Sequence, residues 1–255
     1  MHRFFVPPSA VDGDKVVING ATAHQIRNVL RMRPGEHIVV LDNSGREYRV
    51  ELVEVERRRV TGRVVAQRQA RGEPRTRITL YQSMIRKQRF EFVLQKGTEV
   101  GVAEFVPVVS ERCVINDLEA VNKKMTRWQR IILEAAEQSR RGLLPTLQPA
   151  MLFSQACERA QRTGGLSLLP WEEARENLRT VLQGLAETPS SVNLFIGPEG
   201  GFSSQEVELA RGYGLIPVSL GPRILRAETA GIVTAAIILY ELGDMALPGG
   251  EMPGT

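Results

Sequence analysis

Cysteine and histidine are scarce in this chain of 255 residues. The two cysteines, Cys113 and Cys157, cannot build a disulfide framework, and the three histidines, His2, His24 and His37, are scattered, none set with a cysteine at zinc-ligand spacing. No resident metal is expected. Long apolar runs are missing too: the most apolar stretch, residues 230–240, falls well short of the roughly 20 residues a bilayer span needs, and Gly231 and Thr234 interrupt it. The opening residues 1–8 hold no apolar stretch of signal-peptide length, so a cytoplasmic chain without membrane association is expected. There is no G-x-S-x-G elbow, no Walker lysine behind a glycine-rich loop and no H-E-x-x-H pair. Hydrolase, P-loop nucleotidase and zincin readings therefore have no motif to stand on. Internal repeats and low-complexity tracts are absent as well.

What is present is an ordinary globular composition, 42% hydrophobic and 24% charged, long enough for one or two packed domains. The charge is unevenly placed. Lysine plus arginine outnumber aspartate plus glutamate by 13 to 8 over residues 1–71 and by 13 to 9 over 72–141, then fall behind by 7 to 12 over 142–255. A basic front half with arginine predominating points to a polyanionic partner, because guanidinium groups bind phosphates bidentately. A merely solvated basic surface is the alternative reading.

Residues 1–71 alternate apolar and polar positions in short runs broken by turns at Asp12-Gly13, at residues 43–45 and at Thr61-Gly62, the pattern of a small β-barrel. A helix is expected over residues 22–32, carrying Arg27, Arg31 and Arg33 beside Ile26, Val29 and Leu30. Gly72-Glu73-Pro74 marks a linker over 72–75. Beyond it strands and helices alternate, the signature of an α/β layer structure. Helices are expected over 87–100, 121–141, 154–161, 173–185 and 203–212, and a last one over 227–242 that is apolar nearly all round and must be covered on both sides. Residues 246–255 read as a flexible tail.

Two segments near the C-terminus hold the chemistry. In the first, a buried strand over 192–196 runs into Gly197-Pro198-Glu199-Gly200-Gly201, and a helix starts at Ser203 with Glu206 three residues on, a capping box. Glycines at this density allow a ligand to approach the main chain, although the segment taken alone reads more readily as a tight strand-to-helix turn. In the second, a strand ends in Gly221-Pro222, and Arg226 and Glu228 flank the start of the apolar helix. Ligands of open α/β sheets bind outside the carboxyl ends of the strands, so two such bends side by side would form a cleft. The structural alternative is an ion pair of Arg226 with Glu228 or Glu199.

At these segments the sequence resembles the SPOUT-class RNA methyltransferases of the RsmE type, which methylate uracil N3 in small-subunit ribosomal RNA. The likeness rests on residues 196–202 (IGPEGGF), residues 220–226 (LGPRILR) and Glu228-Thr229-Ala230. Upstream it continues through His24 with Val29-Leu30-Arg31, Gln95-Lys96 with residues 99–102, Ser110-Glu111-Arg112, Arg127-Trp128 and residues 134–140 (EAAEQSR). Three positions depart from the family pattern: Gly97 and Val100, where Ala and Leu are expected, and Ala227, where Thr is expected.

The resemblance implies a PUA-like β-barrel for 1–71 and, for 76–245, an α/β SPOUT domain whose last segment threads a deep trefoil knot around S-adenosyl-L-methionine. It also implies a homodimer, which the small residues Ala227, Ala230, Gly231, Thr234 and Ala235 would serve by close helix approach. Main-chain groups of Leu169, Ile196, Gly197, Gly201, Leu220, Ile224 and Leu225 would hold the cofactor, with Pro170, Pro198, Glu199, Gly200, Gly221, Arg226, Thr229 and Ala230 beside them. For methylation at N3 the site needs a proton acceptor and a cationic stabiliser. Glu228 is the candidate base with Glu199 as substitute, and Arg226 the stabiliser. Arg3, Arg27, Arg31, Arg33, Lys87, Arg89, Lys96, Arg112 and Arg127 are the expected contacts to 16S ribosomal RNA or the assembled small subunit. Two rivals remain: a ribosome-associated RNA-binding module with a vestigial pocket, and a SPOUT enzyme acting at another RNA position.

Overall fold

A computed structural model of the chain describes residues 1–246; the rest of the expected tail lies outside the described residues. The chain divides into two compact units, Met1–Glu73 with Leu133–Leu144, and Pro74–Ile132 with the residues from Pro145 on.

The first unit is built on six strands: β1 (Arg3–Phe5), β2 (Val11–Asp12), β3 (Lys15–Asn19), β4 (His37–Leu41), β5 (Arg46–Val55) and β6 (Arg59–Gln69). They lie in the order β1-β4-β5-β6-β3-β2, antiparallel except for the β1–β4 pair. The β5–β6 ladder slips between Arg49 and Val50 and again between Leu52 and Glu54. Such bulges bend long strands, and β1 and β2 remain two separate edges, so the sheet is a half-barrel. Alternation along the strands places Phe4, Val16, Ile18, Ile38, Val40, Val50, Leu52 and Val60 in one buried core.

The helix expected over 22–32 is shorter and differently placed. A helix α1 (Gly20–His24) passes into a wide π-type turn (Gln25–Val29), closed by the Leu30 N–H on the Gln25 carbonyl at 3.0 Å, and Arg31 sits at φ 55°. Widening the turn keeps Ala23 and Ile26 in the core and leaves Val29 exposed.

Residues 133–144 are tied to this unit by named bonds. The Glu73 carboxylate accepts two bonds from the buried Arg141 guanidinium, at 2.8 and 2.7 Å, and another from the Gly142 N–H at 2.8 Å. Glu137 accepts the Phe5 N–H at 3.1 Å. Burial pushes the Glu137 carboxyl up to about 7, a shift the Phe5 bond opposes and the Glu134 charge adds to.

In the second unit, β7 (Arg77–Ser83), β8 (Glu104–Val109), β9 (Thr146–Leu147), β10 (Met151–Leu152), β11 (Leu166–Pro170), β12 (Ser191–Ile196) and β13 (Ile216–Val218) form one wholly parallel sheet. Its order is β10-β8-β7-β12-β11-β13, with β9 also paired to β8. The central strands are buried along almost their whole length, as parallel strands covered on both faces must be.

Helices α2 (Lys87–Val100), α3 (Leu118–Asn122), α4 (Met125–Gln138), α5 (Phe153–Thr163), α6 (Leu178–Gln183), α7 (Ser204–Gly212) and α8 (Ala227–Glu241) complete the chain. The single helix expected over 121–141 is two, α3 and α4, because Asp117 caps an earlier start through the Glu119 and Ala120 N–H groups. The helix expected over 173–185 is only α6, begun by the Asn177 cap.

After β13 the chain doubles back, and α8 packs against α2, β7 and β12. That return lays the last helix over the middle of the sheet. It also uses up the small residues: Ala227, Ala230, Gly231, Thr234 and Ala235 are buried within the same chain. The large apolar residues α8 exposes are Val233, Ile237 and Tyr240. Among the described residues no helix is long and apolar enough to cross a membrane, and no group of three metal-ligating side chains occurs.

Candidate active site

Strands β12, β11 and β13 are neighbours and parallel, so their carboxyl ends emerge side by side. From β12 the chain enters the bend of residues 197–202, and from β13 the bend of residues 219–226. Between them, with Pro170, Trp171 and Glu172 from the end of β11, lies a cavity of about 590 Å³. That volume is in the range of small-molecule sites.

The local sequence dictates these bends. Ser203 caps α7: its hydroxyl accepts the Glu206 N–H at 3.3 Å, and the Glu206 carboxylate accepts the Ser203 N–H at 3.1 Å. This fixes where the helix starts, and Phe202 is held by Phe153 at 5.0 Å between ring centroids; Phe153 in turn sits edge-on to Phe195, which stacks on Tyr81. A Cβ on Gly197 would come within 3.2 Å of the Phe202 nitrogen and 3.3 Å of the Gly201 carbonyl carbon, and Gly201 itself stands at φ 67°. The two glycines therefore let the loop fold flat against itself and turn its backbone to the cavity.

Of the expected cofactor residues, Pro170, Ile196, Gly197, Pro198, Glu199, Gly201, Leu220, Gly221, Ile224, Leu225, Arg226 and Ala230 line the cavity. Three do not. Leu169 lies in the buried aromatic cluster, Thr229 is on the exposed side of α8, and Gly200 turns toward Arg112. Ala227, noted in the sequence for its departure from Thr, lines it too, and sequence reasoning passed over Trp171, Glu172, Phe202, Ser219, Pro222 and Arg223. Phe202 and Pro222 belong to the quoted motifs and were legible there; Trp171 and Glu172 carry no spacing signal and are found only through the pairing of β11 with β13.

The charged groups are arranged differently from the expected ion pair. Arg226 is the exposed N-cap of α8 and makes no ion pair among the described residues. Arg89, from the first turn of α2, takes both carboxylates instead: its Nη1 is 3.5 Å from Glu199 Oε1 and its Nε 3.5 Å from Glu228 Oε1. Glu199 also accepts the Arg86 N–H at 3.3 Å. Glu228 Oε2 is buried without a hydrogen-bond partner, and Glu228, unlike Glu199, does not line the cavity. One guanidinium thus sits between two carboxylates at the cavity wall.

The other expected RNA contacts fall into two groups. Arg27, Arg31, Arg33 and Lys87 are exposed and form no ion pair among the described residues. Arg3 is buried against Glu47 at 2.7 Å, Lys96 pairs with Glu99 at 2.7 Å, Arg127 binds Glu91 through two bonds of 2.7 and 2.9 Å, and Arg112 donates to the Gly200 carbonyl at 2.8 Å.

Comparison with known proteins decides the family. Residues 72–239 match the RNA methyltransferase domain family and residues 18–65 the RNA methyltransferase PUA domain family. Ribosomal RNA small subunit methyltransferase E of Bacillus subtilis is 31% identical over 248 residues, 94% of this chain and 97% of the relative. The chain belongs to the ribosomal RNA small subunit methyltransferase E family. The Synechocystis methyltransferase E is 32% identical over 93% of this chain and 77% of its own length. A crystal structure of the Neisseria gonorrhoeae methyltransferase E bound to S-adenosyl methionine superposes with a TM-score of 0.84 at 31% identity, covering 94% of this chain and 97% of that one. A Legionella pneumophila methyltransferase in complex with the same cofactor gives 0.84 at 32% identity, over 93% and 96%. Membership of methyltransferase E accounts for both units at once: a PUA half-barrel and a parallel-sheet methyltransferase domain.

Proposed function

We propose that this chain methylates N3 of a uridine in 16S ribosomal RNA with S-adenosyl-L-methionine as donor, and that it works as a homodimer in the cytoplasm. The cavity at the carboxyl ends of β11, β12 and β13, walled by two glycine-bearing bends and one arginine-carboxylate cluster, carries this reading. Its residues fit the donor. Ile196, Phe202, Leu220 and Ile224 supply apolar walls for an adenine ring, the bends supply main-chain donors and acceptors, and Glu199 supplies negative charge for a cationic group.

When bound, the cofactor supplies an electrophilic methyl group on a positively charged sulfur. The chain's part is to hold the acceptor nitrogen in line with it, to accept the N3 proton and to balance the charge left on O2 and O4. Glu199, which lines the cavity, is the carboxylate placed to take that proton; Glu228 lies behind it, and Arg89 holds both in position. Arg226, exposed at the cavity rim, supplies the stabilising cation. Arg27, Arg31, Arg33 and Lys87, exposed and in no ion pair among the described residues, carry the phosphate contacts. Val233 and Ile237 on α8 and Phe92 on α2 are exposed apolar residues on two helices that pack together, and they supply the dimer contact.

Calorimetric titration with S-adenosyl-L-methionine tests the reading. Stoichiometric binding to the wild-type chain that is lost on replacing Gly197 supports it; a wild-type chain that takes up no cofactor refutes it.

A further inference from the structure

The turn that follows β8, Ser110-Glu111-Arg112, lies against the Gly197–Phe202 bend, and each of its three side chains meets a different partner. The Ser110 hydroxyl bonds to the Ser83 hydroxyl at the end of β7, at 3.1 Å, which anchors the turn to the sheet. Glu111 meets the start of α7: its carboxylate accepts the Ser203 hydroxyl at 2.6 Å, and its N–H donates to the buried Glu206 carboxylate at 2.8 Å. Ser203 and Glu206 are the two members of the capping box, so Glu111 closes the box into a ring of hydrogen bonds. Arg112 meets the bend itself. Its Nη1 donates to the Gly200 carbonyl at 2.8 Å, and its stem fills the space a Cβ on Gly200 would enter, 3.3 Å from the Arg112 Cβ.

The consequence for Gly200 is specific. No positive φ is required there and no backbone atom lies in the way; the absence of a side chain is what admits the Arg112 stem. A charge-assisted bond to a main-chain carbonyl holds a loop more firmly than a neutral one does. It also keeps the Gly200 carbonyl turned away from the cavity wall, on which Gly200 has no place while Gly197 and Gly201 do.

We propose that Arg112 is a positioning residue for the cofactor: it presets the Gly197–Phe202 bend in its binding form through the Gly200 carbonyl, while Glu111 fixes the end of the bend through the α7 cap. Arg112 therefore serves the cofactor loop and is not a phosphate contact. The inference rests on reading the cavity as the S-adenosyl-L-methionine site. Preorganisation of a loop acts on affinity because the ordering is done before the ligand arrives.

The test uses the full-length chain, calorimetry with S-adenosyl-L-methionine, RNA binding across a salt series, and thermal unfolding. Arg112→Ala weakens cofactor binding about tenfold, Arg112→Lys by less, and the slope of log RNA affinity against log salt stays as in the wild type. Gly200→Ala displaces the Arg112 stem and weakens cofactor binding in the wild-type background, yet adds little once Arg112 is already Ala, because both changes break the same contact. A midpoint of unfolding kept within about two degrees separates loop presetting from loss of fold; should Arg112→Ala not fold, Arg112→Lys and Gly200→Ala carry the same comparison. Unchanged cofactor affinity in Arg112→Ala, additive losses in the double variant, or an RNA salt slope lowered by about one with cofactor affinity intact would each overturn the proposal. A wild-type chain that binds no cofactor overturns the cavity reading instead, so the two failures are told apart.

Discussion

Single residues set the geometry of this site more sharply than its composition suggests. Gly197 is the loop glycine whose Cβ would press on backbone, 3.2 Å from the Phe202 nitrogen on the opposite side of the bend. Gly197→Val is expected to lower cofactor affinity by tenfold or more while the far-ultraviolet circular dichroism remains native; retained affinity would remove the bend from the site. Arg89 is the second such residue. Replacing it by Gln leaves Glu199 and Glu228 facing each other without their shared cation, and Glu228 Oε2 already lacks a partner. Arg89→Gln should cut kcat/KM for RNA methylation by at least tenfold, with Arg89→Lys recovering part of the loss, whereas equal activity of all three would leave the cluster without a role. The two motifs announced the loops from sequence, but not this cluster. Arg89 lies 110 residues before Glu199, and only the fold, which sets the first turn of α2 within reach of the bend after β12, brings them together. In the sequence it counts only among the basic residues expected on RNA.

Elements were legible where one local signal sufficed. The Ser203–Glu206 box placed the start of α7, and alternation placed the longer barrel strands. Lengths failed where caps or backbone hydrogen bonds compete with periodicity, as at Asp117, Asn177 and the π-type turn at Gln25. The small-residue stripe of α8 was visible, yet its partner was not: it serves close approach to α2 and the central strands inside the subunit, leaving Val233 and Ile237 outward. At the end of α4, Glu137 provides a test of packing by pH. Its folded-state value of about 7 lies above the ordinary 4.5, so the folded chain holds the proton more tightly than the unfolded chain. The contribution is full below about 4.5 and is lost as pH rises through 7, because deprotonation then charges a largely buried carboxyl. Glu137→Gln should therefore flatten that part of the stability profile and stabilise the chain at pH 8 by on the order of 1 kcal/mol, after allowing for solvent screening. Chemical denaturation of both proteins at pH 5 and pH 8 measures it, and an unchanged difference between the two pH values would contradict the assignment.

For the molecule as a whole, short alternating strands predict a small β-structure at the front and alternating strands and helices an α/β layer behind it, and the structure holds a sheet of each kind. What pattern reasoning alone does not reach is the order of the parallel strands and the return of α8 to the middle of the sheet, because sequence periodicity records which face is buried and not which neighbour buries it. The family likeness implied that the last segment turns back through the domain, and the strand order is read from the structure alone. The proposed dimer uses a face α8 leaves exposed: Ile237→Glu should give a monomer by sedimentation where the unaltered chain sediments as a dimer, and an oligomeric state that does not change would move the contact elsewhere.

The most direct measurement is of product. Unmethylated small subunits or their 16S ribosomal RNA, incubated with this chain and S-adenosyl-L-methionine labelled in the methyl group, then digested to nucleosides and resolved by mass spectrometry, should show the label in N3-methyluridine, close to one per RNA and absent with Gly197→Val. Label on another base or on ribose, or none at all from a chain that binds the donor, would contradict the account.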